Sequence, residues 1–139
     1  MVNCFHPKKE ERMSIHQEVV IPASPDRVFE ALTTSAQFTE ASGGRAAEIT
    51  ASEGGGFSLF GGAIHGRQIE LVPGARLVQA WRVKMWEPGV YSLVRFTLTA
   101  EGKGTKLVLD HSGFPEAQQD HLAAGWAANY WEPLTKYFS

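Results

Sequence analysis

PEAQQDHLAAGWAANYWEPLTKYF, residues 115–138, decides how this chain folds. Leu122, Trp126, Tyr130 and Leu134, followed by Tyr137 or Phe138, recur at steps of three to four residues. That period predicts a long amphipathic helix with a heavily aromatic face. Pro133 sits inside it and has no N–H to give the carbonyl of Asn129, which predicts a kink or loosening near Trp131-Glu132. An aromatic stripe this heavy needs a large apolar surface to cover it.

The sequence upstream supplies that surface. Ile15 to Ile21 alternates and is rich in β-branched residues, which suits a strand that Pro22 ends. Ser24-Pro25-Asp26 then provides an N-cap, a proline for the first helical position and an acid near the positive end of the dipole, ahead of Val28, Phe29 and Leu32. A second short helix is predicted over Ala36 to Ala41, ended by Gly43-Gly44. Six further strands are predicted: Arg45 to Ala51, Phe57 to Phe60, Ala63 to Val72, Leu77 to Lys84, Tyr91 to Ala100 and Thr105 to His111. Only short glycine or proline breaks separate them, so the strands form an antiparallel meander. The fold class is therefore α+β: a curved antiparallel sheet of six to seven strands around a long C-terminal helix, in β-α-α-β6-α order.

A chain of 139 residues makes one domain and buries about 68% of its unfolded surface. Residues 1–13 read as a flexible N-terminal tail before a single domain at 14–139, and Met13-Ser14-Ile15 looks like a natural start. The tail is read as an upstream extension or the product of a mis-assigned start codon. A net charge of -2 with no basic stretch argues against nucleic acid and anionic membranes as partners. The lone Cys4 excludes an intramolecular disulfide and a cysteine-based zinc cluster, and nothing reads as a cleaved signal or membrane span, so the expected location is a reducing cytoplasm.

Several spaced blocks then become familiar together. Ile21 to Thr33, Gly55-Gly56-Phe57, Gly66 with Leu71-Val72-Pro73, and Leu77 to Arg82 followed by Trp86-Glu87-Pro88-Gly89 stand in order. Gly104 to Leu107, His111 to Pro115 and Gly125 to Trp131 complete the series. The chain from Ile15 to Phe138 resembles the START-like (SRPBCC) helix-grip superfamily, and within it the family of activator of heat shock protein 90 ATPase homologues. The resemblance implies the same element order but no reaction, because one scaffold here serves ligand binders, cyclases, lipid carriers and chaperone regulators. Many family members place a tryptophan near positions 39 to 41; here Phe38-Thr39-Glu40-Ala41-Ser42 opens or reshapes that end of the cavity. Full-length eukaryotic activators also carry a separate amino-terminal domain that supplies much of the chaperone contact, for which 139 residues leave no room.

On Leu77 to Lys84 the face Leu77, Gln79, Trp81, Val83 is expected to look toward the helix. Gln79 then has two readings: a polar handle for a ligand in an apolar pocket, or a core glutamine bonded to backbone. Phe57, Trp81, Trp126 and Tyr130 either line a cavity between sheet and helix or form plain core. The expected ligand-binding set is Phe38, Phe57, Gln79, Trp81, His111, Trp126 and Tyr130. His111 shares the inward face of Leu107 and Leu109 and ties the strand end to the last loop, while Asp110 points away and cannot relay a proton through it. His111 and His121 have no third ligand at metal spacing, so neither metal nor cofactor is expected. Strand alternation puts His65 and Arg67 on one face and Glu70 on the other, and these, with Arg95, read as solvated surface.

No nucleophile elbow, phosphate loop or acid–base pair appears, so no catalytic residue is assigned. The leading expectation is non-catalytic binding of a small hydrophobic or aromatic ligand. The alternative is a chaperone-regulator domain that contacts a heat shock protein 90 type chaperone, and a cyclase or hydratase type of enzyme is a third class. An edge strand and the Trp86-Glu87-Pro88-Gly89 tip leave room for a homodimer.

Overall fold

A computed structural model of the chain describes residues 14–139. The tail at 1–13, with Cys4, lies outside the described residues. Strand β1 (Ser14–Ile21) leads into helices α1 (Pro25–Thr33) and α2 (Ser35–Ala41). Ser24 caps α1, its hydroxyl accepting from the Arg27 N–H, and Val28, Phe29 and Leu32 are buried as one face. Strands β2 (Glu48–Ile49), β3 (Gly56–Leu59), β4 (Ile64–Val72), β5 (Arg76–Val83), β6 (Ser92–Glu101) and β7 (Gly104–Ser112) follow. All neighbours are antiparallel in the order β1-β7-β6-β5-β4-β3-β2, so the meander closes with the first strand on the last.

Two departures from the sequence expectation have local causes. The strand expected over Arg45 to Ala51 shrinks to Glu48–Ile49 because its first residues bond elsewhere. Ser42 Oγ donates to the Arg45 carbonyl, Gly61 N–H to the Ala46 carbonyl, and the Ala47 N–H donates to Thr39 Oγ1. On β4 the register slips between Gln68 and Glu70, with Ile69 as the extra, exposed residue. Glu70 therefore lies opposite Val78, on the same outer face as Arg67 opposite Ala80, where alternation alone would have turned it inward. There it holds Arg76 through two bonds of 2.6 and 3.2 Å.

The C-terminal stretch is a continuous helical run that loosens where Pro133 predicted, at a wide turn ending on Trp131. A 3₁₀ turn (Glu116–Gln118) leads into α3 (Gln119–Trp126), a π-helical turn (Ala127–Trp131) and α4 (Glu132–Tyr137). Pro133 leaves the Asn129 carbonyl without its usual donor, and the chain widens by one residue in the turn before it, with the Glu132 N–H reaching back to the Ala127 carbonyl. Consecutive Tyr130 and Trp131 are both buried as a result. Gln17 on β1 braces this turn from across the fold. Its amide donates to the Ala123 carbonyl at 3.0 Å, and its oxygen accepts from Trp131 Nε1 at 2.7 Å. Replacing Gln17 with alanine is expected to cost about 1–2 kcal/mol for the two bonds. A lowered urea midpoint together with an altered near-ultraviolet circular dichroism band would report it; an unchanged midpoint would show that the brace is idle.

Candidate functional site

The inward faces of β5, β6 and β7 carry the residues that meet the helix. Leu77, Gln79 and Trp81 alternate inward on β5, and Leu107, Leu109 and His111 on β7. Trp126 stacks on Trp81 at 5.5 Å between ring centroids, and Tyr130 sits 4.4 Å from Trp126. Beside this aromatic stack lies an apolar cavity of about 200 Å³, open to solvent on one side. Its sheet side is Ile64, Trp81 and Val83 with Phe60 and Ala63 from the turn after β3. Its helix side is Leu122, Gly125, Trp126 and Tyr130, and Arg45, His121 and Asn129 supply the polar lining.

Of the seven residues expected from sequence, Trp81, Trp126 and Tyr130 line this cavity. Phe38 packs edge-on against Tyr130 at 5.7 Å and against Phe60 at 5.4 Å, beside a much smaller gap between α2 and the C-terminal helix. Phe57 lies over the backbone of Gly66, its cross-strand partner. Gln79 faces Gln68 across the sheet and donates to its side-chain oxygen at 3.1 Å, leaving Gln79 Oε1 and Gln68 Nε2 without partners.

His111 sits in a closed relay of hydrogen bonds. The Trp126 indole N–H donates to Nδ1 at 3.1 Å, so the ring proton is on Nε2, which donates to Ser92 Oγ at 2.8 Å. The Ser92 hydroxyl donates in turn to the Trp81 carbonyl at 2.7 Å. Both nitrogens are spent inside the protein. Burial among Trp81, Phe114 and Trp126 pushes the imidazole down to about 3. Asp110 points outward, as alternation required, and pairs with Arg95 and His16. Among the described residues, no acid–base pair is seen among the groups lining the cavity.

Trp81 Nε1 and Tyr130 Oη are buried behind the cavity wall and make no hydrogen bond of full geometry among the described residues. Burial pushes the Tyr130 phenol up, with the Trp81 N–H pulling the other way, so the phenol stays protonated. Sequence reading missed Arg45, Phe60 and Asn129. The Arg45 guanidinium lies 4.6 Å from the centre of the Phe60 ring, and donates through Nε to the Ser42 carbonyl and through Nη2, more loosely, to Asn129 Oδ1. Phe60 itself holds a positive φ of 55°, unusual for an aromatic residue, which turns its ring toward Tyr130 at 5.6 Å. The Gly61-Gly62 pair that follows was the available signal for that bend.

Trp86, placed by the sequence reading at a hairpin tip, folds back edge-on against Trp81 at 6.1 Å and is buried. Its neighbour Met85 is exposed instead, as are Tyr91 and Leu93. Among the described residues no cluster of three or more potential metal ligands occurs, and no helix is long and apolar enough to cross a membrane.

Comparison with known proteins agrees with this architecture. A solved structure described as an HSP90 activator from Plasmodium falciparum is 28% identical, with a TM-score of 0.80 over 86% of this chain and 91% of that one. An activator of 90 kDa heat shock protein ATPase homolog from Dictyostelium discoideum is 38% identical over 63% of this chain and 23% of its own length. The Homo sapiens activator homolog 1 is 27% identical over 83% of this chain and 34% of its own. The chain thus spans about a quarter to a third of the curated relatives it matches. The match to the family described as Activator of Hsp90 ATPase homolog 1-like protein runs over residues 22–139, nearly the whole of the helix-grip domain, and the chain belongs to that family.

Proposed function

We propose that this domain is a regulator of an Hsp90-type chaperone and acts by binding the chaperone surface rather than by catalysis. The observation that carries this reading is the likeness to the Plasmodium falciparum HSP90 activator, which extends over 91% of that chain and so concerns nearly all of it. A surface suited to contact lies at one end of the sheet, where Met85 is 92% exposed and Tyr91 and Leu93 are about half exposed. The Arg82 guanidinium stands 5.7 Å from the Tyr91 ring centre, placing a cation within this apolar patch. Exposed apolar groups gathered beside a charge are the usual material of a protein contact.

The test is the ATPase rate of the cognate chaperone as the domain is titrated in. Saturable stimulation is expected, and the double variant Met85→Asp, Leu93→Asp should raise the half-saturating concentration by about tenfold or more. An unchanged rate at high domain concentration, with no co-elution of the two proteins, would overturn the reading.

The cavity favours a second reading, in which the domain also binds a small, mainly apolar molecule. Its supports are the open volume of about 200 Å³ and the walls of Trp81, Trp126 and Tyr130. A dry apolar cavity of about 150 Å³ is enough to hold benzene.

A further inference from the structure

We infer that the cavity takes a small aromatic carboxylic acid, held with its ring against Trp81, Ile64 and Leu122 and its carboxylate at Arg45. This deepens the small-molecule reading of the cavity and rests on it. The volume sets the size: about 200 Å³ holds one aromatic ring with a short substituent and excludes a sterol or an acyl chain of lipid length.

The lining sets the charge. It contains no carboxylate, while Arg45 is exposed at the mouth and forms no ion pair among the described residues. Arg45 is held in place by contacts with neutral groups that leave its charge unneutralised: stacking on Phe60 and donation to the Ser42 carbonyl and to Asn129 Oδ1. A planar guanidinium in a fixed pose suits a planar carboxylate. Asn129 and His121 add further groups able to donate at the lining. A basic ligand would be repelled by the Arg45 guanidinium and would find no carboxylate in the lining.

Gly125 provides the means to close the site without harming the fold. A Cβ there would meet only Asn129 Nδ2, at 3.6 Å, so a longer side chain grows into the cavity. The experiment is isothermal titration of the full chain with benzoate and with toluene, a neutral molecule of similar shape. Benzoate is expected to bind at least about tenfold more tightly than toluene, a gap worth about 1.4 kcal/mol. Arg45→Gln should erase that gap while leaving toluene binding unchanged, and Gly125→Leu should abolish both with the thermal midpoint held or raised. Equal binding of benzoate and toluene, or a gap that survives Arg45→Gln, would overturn the acid and leave the cavity reading standing. Binding of neither compound to the unmodified chain would overturn both.

Discussion

An alanine at Gly66 is expected to destabilise the domain by about 3 kcal/mol or more, the upper end of what overpacking costs. Gly66 lies on β4 opposite Trp81 on one side and Phe57 on the other. A Cβ built there would stand 2.0 Å from the Ala80 carbonyl oxygen and 2.4 Å from Phe57 Cζ. The first of these atoms is backbone, so the sheet itself must part to make room, and a rotamer change of Phe57 cannot relieve it. Phe57 uses the missing side chain as its seat, covering the bare backbone with its ring. The control is Gly56→Ala on the adjacent strand, where a Cβ would meet only the Gly66 carbonyl at 3.8 Å. Urea unfolding should show a large drop in midpoint for Gly66→Ala and none for Gly56→Ala. A Gly66→Ala protein as stable as its parent would mean that Phe57 and β5 are not packed on this strand as described.

The same pair shows what a sequence discloses and what it withholds. Strand alternation is local, so the inward faces Leu77-Gln79-Trp81 and Leu107-Leu109-His111 were readable, as was the outward turn of Asp110. The start of α1 was readable for the same reason, since its cap and its first donor lie three residues apart. Phe57 was recognised as inward, but its partner was not, because the register Phe57↔Gly66 depends on where two strands meet. The bulge at Ile69 is invisible for the same cause and reversed the side on which Glu70 lies. Gln17 was read only as a residue of the opening strand, yet it bonds to Ala123 and Trp131, more than a hundred positions away. Pro133 announced a disturbance of the helix, but not that the chain would absorb it as a wide turn that buries Tyr130 and Trp131 together. Arg45 reaches the cavity only because its segment leaves the sheet, and its neighbours in sequence carry no sign of that.

Acidification between pH 6.5 and about 3 is expected to destabilise the domain steeply, and His111→Gln is expected to flatten that decline. In the unfolded chain a histidine titrates near its ordinary value of 6.5, whereas burial holds the folded imidazole down to about 3. Below pH 6.5 the unfolded state therefore binds a proton that the folded state refuses. Stability is fully present above 6.5 and falls toward 3 by up to about 1.4 kcal/mol per pH unit. Protonation of the folded state would also require Nδ1 to stop accepting from Trp126. His111→Gln removes the titration but leaves the Trp126 N–H or the Ser92 hydroxyl poorly paired, costing about 1–3 kcal/mol at pH 7. The two stability curves should thus approach each other as the pH falls. Carboxylates held low by their partners, such as Glu18 through His16 and Glu70 through Arg76, weaken both proteins alike at acid pH. His16 works in the opposite sense: its carboxylate partners raise it, so its contribution is present below 6.5 and lost as the pH rises through its folded value, again equally in both proteins. The difference between the curves isolates His111. Parallel acid limbs would show that the ring is protonated in the folded state and that the relay from Trp126 to Ser92 is not the one described. Because His111 does not line the cavity, titrating the variant with benzoate at pH 7 should give the affinity of the unmodified chain, which separates a histidine that holds the wall together from one that touches a ligand.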